Sequence, residues 1–398
     1  MNGSYPTLDG SVAVSFDEPV TILNSDALEV DDDSGRRVDR RDAHVDPEDA
    51  TRVVVDVPKD LESGFYTVRW RVISTDTHVV HGDYQIGVGI QLNAIKRSDE
   101  RSAFDPAGLL ASAIRWLSLL GALLAVGAFA LSRLLLRKLE PPSPEADAVA
   151  RRAAVAGAVL VILMDIPALL VQAAAVSGHL GWAILPTLLS RWGIAWIVRL
   201  MSVLVFLLVV ALWWRRGAVV ASLAACGLLT GFSASGHALA LSGIAGVVAF
   251  VMDFAHLVAS SIWIGGVMVL APIVFAQRTL AAALFARFTP LAIASVAAIA
   301  VTGTYAAIVH VGTFADLIHT AYGRILLIKV AFVAVLLLFG YRHLRIGYGR
   351  AAVAGADTIG YEALVGVAVV ALTALLIGQM LPMHMPGMST ALLAPWGR

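Results

Sequence analysis

Between residues 109 and 381 the chain holds eight apolar stretches, at roughly 109–132, 153–176, 194–214, 217–237, 250–275, 288–311, 325–343 and 361–381. About 20 consecutive apolar residues suffice for a helix to cross the hydrocarbon core of a bilayer. Inside hydrocarbon a single segment can satisfy its own backbone only as a helix. The expectation is therefore a membrane all-α bundle of eight transmembrane helices. The balance of 58% hydrophobic against 15% charged residues agrees, because no ordinary soluble domain carries so little charge.

The formal net charge of zero hides a split. Residues 1–106 carry 21 Asp and Glu against 11 Lys and Arg, whereas residues 107–398 carry 8 against 18. This pattern predicts an acidic soluble head joined to a membrane part with basic flanks. Within the head, "SVAVSF", "ALEV", "TRVVVDV", "FYTVRWRVIS" and "DYQIGVG" read as strands separated by Asp, Gly, Ser and Pro clusters. Their spacing predicts an N-terminal Ig-like β-sandwich over residues 1–90. In "FYTVRWRV", Tyr66, Val68, Trp70 and Val72 should share one face. A polar linker over 91–108, the membrane domain over 109–382 and a Met- and His-containing tail over 383–398 complete the division.

The single cysteine, Cys226, excludes intrachain disulfides and thiolate metal clusters. The phosphate-binding pattern GxxxxGK[ST] is absent, so ATP-driven pumping is not expected. Neither an enzymatic activity nor a nucleic-acid partner is expected.

Orientation follows from Lys and Arg. Arg133, Arg137, Lys138, Arg151 and Arg152, then Arg215 and Arg216, Arg278 and Arg287, and Arg342, Arg345 and Arg350 fall at alternate connections. The positive-inside rule makes those connections cytoplasmic and places the head and the C-terminus outside. Export of the head without a leader is hard to explain, and the expected start lies upstream of Met1.

Metal-ligating side chains recur toward the outer side. In the head, Asp76 and His78 are two residues apart, so in extended chain they project together. A carboxylate and an imidazole suit Cu(II) or Zn(II), although a capped surface loop would use the same residues. In the membrane part, His237 lies 21 residues beyond Arg216, His256 lies 22 before Arg278 and His310 lies 23 beyond Arg287. At about 1.5 Å per residue these imidazoles are expected at one level. Asp253 shares a helix face with His256 at i,i+3 spacing. Past the last span, "QMLPMHMPGMS" supplies Met380, Met383, His384, Met385 and Met388. Thioethers are soft ligands that select Cu(I), and Pro382 and Pro386 keep these methionines out of a helical packing stripe. Asp165 lies deeper, either as a relay or as a group hydrogen-bonded across helices.

"GFYTVRWRVISTDTHVVHGDYQIGV", with "VSFDEPV" upstream, resembles the CopC family of copper-binding β-sandwiches. The resemblance implies that Asp76 and His78 bind Cu(II). The family's further ligand, an N-terminal histidine, would lie upstream of Ser4. Val79 and His81 stand where the family has Pro and Ser, which makes His81 a candidate replacement nitrogen ligand. "SGHA", "MDFAHLVASSIWIGGV" and "TAYGRILLIKVAFVAVLLL" resemble the CopD family of multi-pass copper transport and resistance proteins.

The resemblance implies a multi-pass protein of the cell (inner) membrane that captures copper outside and moves it inward. Copper would be Cu(II) at the sandwich and Cu(I) at the membrane site. Membrane lipids and an extracytoplasmic copper chaperone are the further expected partners. The alternative is a haem-binding, b-type-cytochrome-like redox protein or cupric reductase, because histidines on neighbouring helices can also ligate haem.

Overall fold

A computed structural model of the chain describes residues 4–8, 10–16, 19–74, 79–90, 106–177, 184–236, 243–311, 313–346 and 348–379, with side chains over 343–356 left aside. The N-terminal region is a two-sheet sandwich. In one sheet β7 (Gly64–Ser74) is the centre. It pairs antiparallel with β8 (Val79–Val88), β3 (Val20–Thr21) and β4 (Leu28–Asp32), and β1 (Ser4–Tyr5) adds to β8 in parallel. The second sheet orders β2 (Ser11–Ser15), β6 (Arg52–Asp56) and β5 (His44–Val45).

Alternation of side chains decides which residues enter the core. Val12, Leu28, Val30, Val53, Val55, Val68 and Ile86 are fully buried between the sheets. As expected, Tyr66, Val68 and Val72 face inward. Trp70 faces the same way and lies over Gly82, its direct partner on β8, where a Cβ would come within 2.5 Å of the indole. Glycine at 82 is therefore what admits the tryptophan.

The remaining region is helical. Its elements are α1 (Pro106–Leu134), α2 (Pro144–Ser177), the short α3 (Ile184–Leu189), α4 (Arg191–Trp213), α5 (Ala218–Ala234), α6 (Gly243–Ser260), a π-helical turn (Ser261–Gly265), α7 (Gly266–Ala276), α8 (Ala281–His310), the short α9 (Asp316–His319), α10 (Ala321–Ile346) and α11 (Tyr348–Ile377). Among the described residues seven helices are long and apolar enough to cross a membrane, with α6, the π turn and α7 forming one continuous span. The predicted span over 217–237 corresponds to α5, which has 17 described residues. That is about 25 Å of helix, at the short end for a crossing.

Small residues set the helix spacing. A Cβ on Gly121 of α1 would lie 2.7 Å from the carbonyl of Gly157 on α2, and a Cβ on Gly157 would lie 2.5 Å from that of Gly121. Such backbone approach replaces the hydrophobic drive that lipid removes. Around this crossing Ala122, Ala125, Ala128, Ala154, Ala158 and Val161 are buried.

Candidate metal centre

His256 sits on α6, five residues before the start of the π turn. Its Nδ1 lies 2.8 Å from Oγ1 of Thr302 on α8. The Thr302 hydroxyl itself donates to the carbonyl of Ala298, 2.7 Å away, one turn back on its own helix. A hydroxyl has one proton. With that proton committed, Thr302 can only accept from the ring, so the neutral imidazole carries its hydrogen on Nδ1. Nε2 is then the nitrogen with a lone pair. An oriented ring with its far N–H anchored is the usual setting of a metal-ligating histidine.

Asp253 lies one turn away on the same helix. Lys329 on α10 is close enough for its charge to act on both His256 and Asp253. The group thus balances one cation against one carboxylate beside a neutral imidazole. Gly303, next to Thr302, leaves the ring ordinary van der Waals room: a Cβ there would stand 3.6 Å from Cε1.

The π turn fixes which way His256 points. Widening one helical turn rotates everything N-terminal to it relative to the rest of the span, and such bulges recur at functional sites. Here α1 presses against the turn. A Cβ on Gly127 would lie 2.3 Å from the Ser261 carbonyl, and one on Gly265 would lie 2.1 Å from the Leu123 carbonyl. The glycines permit that contact.

Of the three imidazoles expected at one level, only His256 and His310 fall among the described residues, and these two sit at different points along their helices. His310 closes α8, eight residues beyond Thr302, which is about 12 Å along the axis. Its Nδ1 lies 3.3 Å from the Tyr322 hydroxyl. Arg278 opens the 3-10 turn beyond α7 whereas Arg287 already lies inside α8, so distances from the two arginines start from different baselines. His237, Met380, Met383, His384, Met385 and Met388 lie outside the described residues, as do Asp76 and His78.

His81 lies on β8 directly opposite Arg71, with Asp83 opposite Arg69, on the face away from Val68 and Val72. A cationic neighbour across the strand disfavours a metal cation at that position. Among the described residues no three His, Cys, Asp or Glu side chains gather in a metal-binding group.

Asp165 is the group bonded across helices. Arg199 of α4 reaches its Oδ1 with Nε at 2.9 Å and Nη2 at 2.7 Å, both side chains being buried. Trp196 donates to the Asp165 carbonyl, and the Arg199 guanidinium lies 4.7 Å from the Phe232 ring centroid. Arg199 is legible in the sequence as a charged residue within the apolar "WIVRLMSV". Thr302 offers no such signal, since a lone hydroxyl in an apolar helix is ordinary.

Residues 3–89 match the CopC domain, residues 105–247 match the copper resistance protein D-like N-terminal domain, and residues 282–376 match copper resistance protein D. The fold and these three matches together make the chain similar to copper-resistance membrane proteins, with a CopC-like head and a CopD-like helical part. The copper transport protein CutJ of Bacillus subtilis (strain 168) is 25% identical over 391 residues, covering 92% of this chain and 70% of that protein. No solved structure matches the chain.

Proposed function

We propose that this protein is a copper carrier that takes copper from its sandwich head to the His256 centre and moves it inward across the membrane. The observation that carries the reading is the Thr302 anchor, which leaves His256 Nε2 as the electron-pair donor inside a span. Asp253 adds an oxygen donor, and His237 with the methionines from 380 to 388 would complete a softer set suited to Cu(I). Asp76 and His78 would hold Cu(II) in the head. The similarity to a protein named for copper transport supports transport over storage.

Metal analysis of the purified chain, together with copper accumulation in cells, tests this. Copper should co-purify, and cells expressing the protein should accumulate it. His256→Ala should abolish accumulation while the protein still inserts. A copper-free preparation with a Soret band would replace the carrier with the haem reading. Lower cellular copper on expression would reverse the direction.

A further inference from the structure

We propose that the end of the bundle where α1 passes the C-terminus of α11 holds an oxyanion of the phosphate type. Arg115 of α1 extends toward α11 and donates from Nη1 to the carbonyl of Ala374 at 3.1 Å. A Cβ built on Gly378 would stand 3.1 Å from that Nη1 and 3.3 Å from Oγ of Ser112. The cation and the hydroxyl therefore converge beside a residue that has no side chain. Ser112 is 4% exposed and Gln379, the next residue after Gly378, is 8% exposed. Among the described residues neither Ser112 Oγ nor Gln379 Nε2 has a hydrogen-bond partner.

The chemistry of this group is one-sided. A guanidinium has five N–H donors in a planar fork, and the contact with Ala374 uses one. A buried hydroxyl stands beside it, and the buried amide N–H₂ of Gln379 follows Gly378 in the chain; among the described residues neither has an acceptor. Arg115 makes no ion pair among the described residues. The carboxylate of the neighbouring polar group, Asp165, is already bonded to Arg199, whose own positive charge Arg115 feels. Water would satisfy the hydroxyl and the amide but not the charge. A ligand with several acceptor oxygens and a negative charge satisfies all three, and phosphate matches the guanidinium fork. That phosphate can come from a lipid headgroup at the membrane surface or from free inorganic phosphate.

The test uses the full chain, purified and stripped of lipid in detergent. Inorganic phosphate and phosphatidylglycerol are added separately, with thermal unfolding and native mass spectrometry as readouts. One of them should raise the unfolding temperature saturably and leave one retained copy. Phosphate would identify a free anion and phosphatidylglycerol a headgroup. Arg115→Gln and Gln379→Leu should each reduce retention at least tenfold. Gln379 lies beyond the last helical residue, so its replacement keeps the test usable if Arg115→Gln unfolds. No response to either addition, or equal retention in Gln379→Leu and the unaltered protein, would overturn the proposal and reduce Arg115 to a cap on α11.

Discussion

In the proposed metal centre the Thr302 hydroxyl supports His256 without being a ligand. Its proton goes to Ala298, and its lone pair holds Nδ1 of His256. Thr302→Val keeps the shape and removes both bonds. Loss of such a supporting contact typically costs 10–100-fold in metal affinity. Competition titration with a Cu(I) chelator should show a loss of about that size, whereas Thr302→Ser should retain most of the affinity. The Asp165–Arg199 pair makes a different prediction. Removing one partner of a buried pair strands a charge and costs about 3–5 kcal/mol, whereas replacing both by apolar residues is often neutral. Asp165→Leu should therefore lower the unfolding temperature sharply, and the double replacement with Arg199→Leu should restore much of it.

The span from Gly243 to Ala276 owes its geometry to the crossing with α1 rather than to its own propensities. The π turn spans Ser261–Gly265 and meets Leu123 and Gly127 backbone to backbone. Gly265→Ala places a methyl 2.1 Å from the Leu123 carbonyl, so the helices must part. Overpacking of this kind costs about 1–3 kcal/mol. The unfolding temperature and the copper retained per chain should fall together, because the same turn aims His256. Gly340→Ala on α10 meets nothing within 4 Å and provides the control. It should be neutral or stabilise by up to about 1 kcal/mol. The helical pattern was readable in advance because apolar run length is a local property. The π turn was not, since "VASSIWIGGV" is equally compatible with an unbroken α-helix.

Across the whole molecule the two regions keep their charges in different ways. The membrane helices place Asp165 and Arg199 together in a dry interior, whereas the head gathers Asp26, Glu29 and Asp39 around Arg37. Burial works against the Asp39 carboxylate. Hydrogen bonds from Arg37 and from the N–H groups of Val30 and Arg41 outweigh it, so its pKa lies below the usual carboxylate value. A group lowered on folding stabilises above its unfolded pKa of about 3.9, and that contribution is lost as pH falls through the folded value. The head should therefore lose stability below about pH 4. Arg37→Ala should move the acid midpoint upward, as read by limited proteolysis of the full chain.

The β-head, the helical spans and the residue types able to bind copper were all legible from the chain, because strand alternation, apolar run length and ligand chemistry need only neighbouring residues. Even the core face of β7 followed from its pattern. Partnership across helices was not legible. Each residue turns a helix by about 100°, so a small change in rotation or register decides whether His256 meets Thr302 or another side chain. Packing set that rotation through the glycine contacts of α1 with the π turn, and it put His256 and His310 at different depths. The same packing gave Asp165 its arginine and left Ser112, beside Arg115, with a hydrogen bond still to make among the described residues.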